Sequence, residues 1–257
     1  MRKKVLIVVA LLGLVLLLSG CGNVNEPITA ESEGFWDSYF VFPLSWLIIN
    51  VANFFSGNFG IAIIIVTLFF RLLLVPLNVK QLKSSKAMQE IQPQLQELKE
   101  KYSSKDAQTQ QKLQEETMKL FQQNNVNPMA GCLPIFVQMP ILIGLYQSIM
   151  RTPGLQEGSF LWFELSQSDP YYILPIVAAG ATFLQQKLTM AGTNATQNAG
   201  NPQMTMMLYM MPIMIGVMSM FFPAALALYW VVGNVFMVLQ TIFIRKPFKF
   251  QQTAGGK

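Results

Sequence analysis

The sequence predicts an all-α integral membrane protein with five transmembrane helices, an outer interfacial helix and a cytoplasmic helical hairpin. Three observations indicate this class. The 257 residues are 52% hydrophobic and 12% charged, whereas charged residues make up about 25% of a typical soluble domain. Five apolar segments approach the roughly 20 residues that a helix needs to cross a bilayer. Basic residues are concentrated in some connecting segments and absent from others, which orients the spans.

The N-terminus has the pattern of a secretory signal. Three basic residues precede an apolar run over residues 5–18, and this run is too short for a comfortable span. It ends in Leu18-Ser19-Gly20-Cys21, which resembles the lipobox of bacterial lipoproteins. We expect residues 1–20 to be a lipoprotein signal peptide and Cys21 to carry the lipid. The alternative is an uncleaved signal anchor with an incidental cysteine.

Hydropathy and charge together predict the topology. Residues 21–58 contain no Lys or Arg and four acids, whereas residues 80–127 contain eight lysines. The first segment is therefore expected outside and the second inside, and a basic tail at 245–257 is expected inside. The predicted spans are 59–79, 129–150, 171–188, 204–222 and 224–244.

Two segments outside the spans have helical patterns. Within residues 21–58, the apolar stretch 44–55 is too short to cross and reads as an interfacial helix on the outer face. A sixth crossing there is the alternative, although it would invert the charge rule for every later loop. Residues 80–127 predict a helical hairpin, because apolar residues recur at helical spacing on both sides of residues 103–106. This hairpin is either a solvated element or a docking or lid element at the cytoplasmic mouth.

The composition excludes several classes of site. The chain has no histidine and two cysteines, so triads with a histidine base and the usual zinc sites are excluded. No phosphate-binding glycine loop occurs, so no nucleotide is implied. We therefore expect no enzyme activity, no metal and no cofactor. An intramembrane protease with a Ser-Lys pair is the alternative that the lack of histidine leaves open.

Arg71 is the residue that most needs an explanation. It lies eight residues from the inner end of the first predicted span, and a guanidinium near mid-span costs about 2.5 to 3.5 kcal/mol. Thr67 and Asn78 follow the same helical spacing and are predicted to share its face. No Asp or Glu occurs in any of the five predicted spans, so water, amides or an acidic visitor must solvate the cation. The alternative is that Arg71 caps carbonyls freed by Pro76.

Polar residues in the other spans lie at comparable depth and predict a hydrophilic groove in the inner leaflet. Taken singly, each glutamine could equally form an ordinary interhelical hydrogen bond. Eight methionines crowd the segment 204–220 and either provide an adaptable apolar surface or face lipid. With Arg71, Thr67 and Asn78, the candidate groove residues are Gln138, Tyr146, Gln185, Gln186, Trp230, Asn234 and Gln240.

Several motifs resemble one known family. The stretch NPMAGCLPIFVQMP at 127–140 is similar to the second-span motif of the YidC membrane protein insertases and their Oxa-type and Alb-type relatives. TLFFRLLLVP at 67–76, FLQQK at 183–187 and LYWVVGN at 228–234 also match in order. The lipobox and the short segment before the first span resemble the Gram-positive branch.

The resemblance implies a five-span insertase in the bacterial cell membrane, lipid-anchored at Cys21 on the extracytoplasmic side. Its groove would open to the cytoplasm and to lipid, and Arg71 would attract acidic residues in a client's N-terminal tail. Implied partners are nascent membrane proteins, membrane lipids and the Sec translocon, ribosome or signal recognition particle pathway, with no direct nucleic-acid partner. The short basic tail argues against strong independent ribosome binding. An anion transporter and an assembly factor without insertion activity are the competing hypotheses.

Overall fold

The structure, a computed structural model, describes residues 26–104, 106–124, 126–127, 133–190 and 202–254. Only the backbone is described for residues 133–136, 202–205, 207 and 244–254. The predicted signal peptide, Cys21 and part of the 127–140 motif lie outside the described residues.

The described chain is mostly helical. A π-helix at Asp37–Val41 leads directly into the first α-helix. The α-helices are α1 Phe42–Phe54, α2 Phe59–Leu73, α3 Val75–Glu90, α4 Gln92–Lys101, α5 Ala107–Gln123, α6 Leu133–Arg151, α7 Pro153–Gln156, α8 Ile173–Met190, α9 Pro202–Phe221 and α10 Ala224–Ala254.

The segment between α6 and α8 departs from the all-α prediction. It contains α7 and a two-stranded antiparallel sheet, β1 Ser159–Phe160 and β2 Phe163–Glu164. The six residues of this hairpin are too few to give a clear period-two pattern. Its strands are held by local packing, since Phe163 is buried in the core of the surrounding unit.

The first predicted span is interrupted. α2 ends at Leu73 and α3 begins at Val75, because Pro76 has no N–H to donate to the carbonyl of Leu72 and its ring crowds that carbonyl. Proline is tolerated in a first helical turn, which is where Pro76 lies in α3. The prediction that Thr67, Arg71 and Asn78 share one face assumed a continuous helix, and that assumption is wrong.

The chain divides into two compact units. The first contains Met1–Arg71, Val137–Thr182 and Pro212–Phe236. Its core is built from the buried faces of packed helices. The fully buried members include Ser45, Ile48 and Ala52 of α1, Ala62 and Ile63 of α2, Ile149 of α6, Ala178 of α8, and Ala224, Ala225, Leu226 and Ala227 of α10.

The second unit contains Leu72–Phe136, Phe183–Met211 and Met237–Lys257. Within it, α4 packs against α5 as a helical hairpin. Asp106 caps the N-terminus of α5 by accepting a hydrogen bond from the Thr109 N–H at 2.8 Å. Hydrogen bonds from Ser104 and then Thr109 hold the pKa of Asp106 below its ordinary value of 3.8, because both stabilise the carboxylate.

Helix length and mean hydropathy decide which of the described helices could cross a bilayer. Among the described residues, the stretch Ala224–Phe243 of α10 is long and apolar enough to cross a bilayer. The helices α2 and α3 meet the same criterion when taken together. The five predicted spans therefore stay a prediction.

Candidate functional site

Arg71 lies at the C-terminal end of α2, in the first unit, and is half-buried. Its guanidinium carbon is 5.6 Å from the centroid of the Tyr229 ring, within the range of a cation–π contact. The same group lies against Gly233, where a Cβ atom would come within 2.9 Å of Nε and 3.0 Å of Cζ. The guanidinium thus occupies space that any side chain at position 233 would fill.

The charge of Arg71 is not neutralised within the described part of the chain. Its Nε atom is buried and has no hydrogen-bond partner, and no described carboxylate forms an ion pair with it. A buried donor without a partner is costly. The guanidinium is therefore held by the Tyr229 ring and by the space beside Gly233. Its Nε–H remains available to another acceptor.

Tyr229 connects Arg71 to a predicted groove residue on another helix. The side-chain amide of Gln138, on α6, donates a hydrogen bond to the Tyr229 hydroxyl at 2.6 Å. Tyr229 is itself buried. It was not among the predicted site residues, because its position between Arg71 and Gln138 depends on how three helices pack. The motif at 228–234 was the signal that could have found it.

Three further predicted residues lie in the first unit, and their environments differ. The Asn234 amide donates to the Thr182 hydroxyl at 2.7 Å, which is an interhelical hydrogen bond of the ordinary kind. The Tyr146 ring packs edge-on against Phe222, and Trp230 is buried in the core. These contacts serve helix packing.

Thr67 does not line a hydrophilic surface. It is buried, and its hydroxyl donates to the Ile63 carbonyl of its own helix at 2.6 Å. The neighbouring cavity is only about 10 Å³ in volume and its other lining residues are apolar apart from Tyr229. A cavity of that size holds about one water molecule at most. The expectation that Thr67 faces an aqueous groove is therefore not supported by its position.

The remaining predicted residues lie in the second unit, where Asn78, Gln185 and Gln186 each form a hydrogen bond. Asn78 donates to the Met237 sulfur at 3.5 Å, and Gln186 donates to the Met211 sulfur at 2.7 Å. The Gln185 amide donates to the Thr189 hydroxyl on the same helix at 3.1 Å. The side-chain oxygens of Gln186 and Gln240 are buried without a partner. Sulfur is a weak acceptor, so the hydrogen bonds of the Asn78 and Gln186 amides are weak.

A second buried arginine was missed by the sequence analysis. Arg151, at the end of α6, is 5% exposed and pairs with Asp37 at 2.8 Å. Its Nε also donates to the Glu26 carbonyl at 2.8 Å, and its own carbonyl accepts from the Ile28 N–H at 3.0 Å. The segment before α1 is thereby fastened to the end of α6. Partners more than 100 residues apart leave no local signal in the sequence.

No group of three or more metal-ligating side chains is found among the described residues. The arrangement around Arg71 consists of a cation, an aromatic ring and amides. Such groups can bind and solvate polar or anionic chain segments.

Comparison with known proteins places the chain in a family. The family described as "60Kd inner membrane protein" matches residues 51–252. "Membrane protein insertase YidC" of Oceanobacillus iheyensis is 65% identical over 251 residues, covering 96% of this chain and 98% of the relative. "Membrane protein insertase MisCA" of Bacillus subtilis is 59% identical over 261 residues, covering 100% of this chain and 98% of the relative.

One solved structure has a similar fold. It is described as "Active YidC insertase crystal structure with the first transmembrane domain resolved". The match has a TM-score of 0.62 at 27% identity and covers 81% of this chain. The chain spans about half the length of that solved chain, of which 47% is covered.

The family match and the similar relatives thus place the chain in a class of bacterial membrane proteins that are not enzymes. Within that class, the chain belongs to the 60Kd inner membrane protein family, whose members compared above are named membrane protein insertases. The resemblance seen in the sequence motifs is confirmed.

Proposed function

We propose that this membrane protein insertase uses the guanidinium of Arg71 to receive the acidic N-terminal tail of a client protein. The observation that carries the proposal is the incomplete pairing of that guanidinium. Its Nε is buried without a partner, and Tyr229 and Gly233 hold the group in place. A carboxylate from a client would supply the acceptor that the described residues do not.

The free energy for insertion would come from the client. Moving an apolar segment from water into lipid yields about 0.8 kcal/mol per buried CH₂ group, so no nucleotide is needed. Arg71 would lower the cost of bringing a polar tail into the membrane, because a fixed cation in a medium of low dielectric constant attracts a carboxylate more strongly than it would in water. The amides of Gln138 and Asn234 would help to solvate the tail.

The proposal also covers the topology, the lipid anchor and the partners. We propose five spans at the predicted positions, a groove open to the cytoplasm and a cytoplasmic hairpin over 80–127. Cys21 would anchor the mature chain on the extracytoplasmic side. Gln185, Gln186, Asn78 and Gln240 would contribute polar groups to the groove. Partners would be nascent membrane proteins and the Sec translocon, ribosome or signal recognition particle pathway.

The proposal is tested by reconstituting the purified protein alone in liposomes. A small single-span client with an acidic tail is added, and protease protection measures its insertion. Insertion above that of empty liposomes supports an insertase that acts without other proteins. An assembly factor would protect the client from aggregation without inserting it. Flux of a small anion without client insertion would indicate a transporter.

A further inference from the structure

The short β-hairpin presents two large apolar residues at its tip. Phe160 pairs with Phe163, so Leu161 and Trp162 form a two-residue turn. Phe163, which flanks the turn, is buried, whereas Leu161 is 73% exposed and Trp162 is 38% exposed. Phe163 therefore packs into the protein while the two turn residues project from it.

The backbone at the tip is unusual for a leucine. Leu161 has a φ angle of +57°, in the left-handed region that favours glycine or asparagine. At the first central position of a tight hairpin turn, glycine is the common residue. A leucine here strains the backbone and exposes its side chain to the surroundings. An apolar environment would compensate for the exposure of this side chain, whereas water does not.

Asp169 fixes the tip to the start of α8. The Trp162 indole N–H donates to Oδ1 of Asp169 at 3.0 Å. The other oxygen of Asp169 accepts from the Leu174 N–H at 2.7 Å, and the residue is only 1% exposed. The indole is thus satisfied inside the protein, so its ring can enter an apolar medium without losing a hydrogen bond to water.

The exposed surface continues from the tip along α8. Tyr171 and Tyr172 are exposed just before the helix. They are followed on the helix by exposed apolar residues, which are Ile173, Ile176 and Val177. In a membrane protein, an exposed apolar strip of this kind faces lipid, and Trp and Tyr are enriched where such a strip meets the water interface.

We infer that Leu161, Trp162, Tyr171 and Tyr172 form a wedge that inserts into the interfacial region of the phospholipid bilayer at the Ile173 end of α8. The wedge is an additional contact with lipid and is separate from the Arg71 cluster. Residues 152–186 contain no Lys or Arg, so the contact is apolar and aromatic. It should depend on the acyl–headgroup boundary and not on anionic lipid.

The inference is tested by fluorescence in liposomes that contain only the full-length protein and lipid. With Cys21→Ser and Cys132→Ser as background, so that no native cysteine reacts, Leu161→Cys is labelled with the environment-sensitive dye NBD. We expect blue-shifted emission, strong quenching by lipids with a nitroxide high on the acyl chain, and at least threefold weaker quenching by aqueous iodide than at a control site. The control is Ser168→Cys, an exposed polar position in the same connecting segment.

Further arms separate the alternatives. Tyr171→Cys reports on the other side of the wedge if the Leu161 variant does not fold. Neutral and anionic liposomes should give the same result. Equal iodide quenching at positions 161 and 168 would overturn the inference. So would protection at position 161 that appears only after a client protein is added, because the surface would then bind protein and not lipid.

Discussion

The Arg71 guanidinium rests on the ring of Tyr229, 5.6 Å from its centroid, and the Tyr229 hydroxyl accepts a hydrogen bond from Gln138 at 2.6 Å. Three helices, α2, α6 and α10, thus meet at one buried aromatic residue. The position of the positive charge depends on that residue and on the glycine beside it. The first two predictions examine this dependence.

Tyr229→Phe and Tyr229→Leu should separate the ring from the hydroxyl. Phenylalanine keeps the ring beneath Arg71 and leaves the Gln138 amide unpaired, so we expect a stability loss of about 1 kcal/mol with most client selectivity retained. Leucine also removes the cation–π contact, which is worth about 0.5 to 2 kcal/mol, and should reduce selectivity for acidic tails. Thermal unfolding in detergent and client insertion measure the two effects. Tyr209→Phe, at an exposed tyrosine, is the control.

Gly233→Ala should displace the guanidinium without unfolding the protein. The added methyl group would lie 3.0 Å from Cζ of Arg71, and the end of a flexible side chain can move away. Alanine is favoured over glycine in a helix by about 1 kcal/mol, so stability should hold. Insertion of acidic-tailed clients should fall severalfold. Gly180→Ala has nothing within 4 Å of the new atom and should leave insertion unchanged. Equal effects at both positions would argue against a positioning role for Gly233.

Asp37→Ala should strongly destabilise the first unit. It leaves Arg151 buried at 5% exposure without its carboxylate, and breaking a buried pair on one side costs about 3 to 5 kcal/mol. Because Asp37 is 21% exposed, we expect a loss toward the lower end of that range. Glu33→Ala, at an exposed acid nearby, should cost little. Unfolding midpoints in detergent compare the two variants, and equal midpoints would exclude a stabilising role for the pair.

The helical hairpin of α4 and α5 should lose stability in acid. The pKa of Asp106 is lower in the folded protein than its ordinary value of 3.8. Its contribution is therefore present above that value and lost as the pH falls below it toward the folded pKa. Hydrogen exchange of the first-turn amides of α5 should accelerate relative to that of mid-helix amides across this range. In Asp106→Ala, this acid-dependent acceleration should be absent and the first turn should exchange faster at neutral pH.

The sequence predicted those parts of the fold that local chemistry decides. The apolar repeats on both sides of residues 103–106 predicted the hairpin helices α4 and α5, and the structure adds Asp106 as the cap of α5. The break before Val75 was missed because the predicted span 59–79 continued through Pro76, although proline ends a helix as readily as it bends one. The hairpin at 159–164 was missed because six residues give too little periodicity.

The candidate site was predicted only in part, for a different reason. Arg71 and Gln138 were found because polar residues stand out in apolar segments. Tyr229 and Gly233 did not stand out, since their importance lies in what touches them in space. The Arg151–Asp37 pair joins residues 114 positions apart and depends on the packed fold. Thr67 has the right spacing and is nevertheless buried against its own helix.

The central claim is that Arg71 supplies positive charge to an incoming acidic tail. Arg71→Lys keeps the charge and loses the planar, bidentate geometry, whereas Arg71→Ala loses both. The most direct measurement is insertion into liposomes by the wild type and these two variants. Two clients are compared that differ only in whether the tail carries Asp and Glu or Asn and Gln.

We expect Arg71→Lys to retain most insertion of the acidic client. Arg71→Ala should lower that insertion at least about tenfold, equivalent to roughly 1.4 kcal/mol. This loss is smaller than the attraction of about 4 kcal/mol expected for a close ion pair at an effective dielectric constant of 20. The neutral client should be affected less by either change. If Arg71→Ala inserts the acidic client as well as the wild type does, or impairs both clients equally, the claim is contradicted and Arg71 has a structural role.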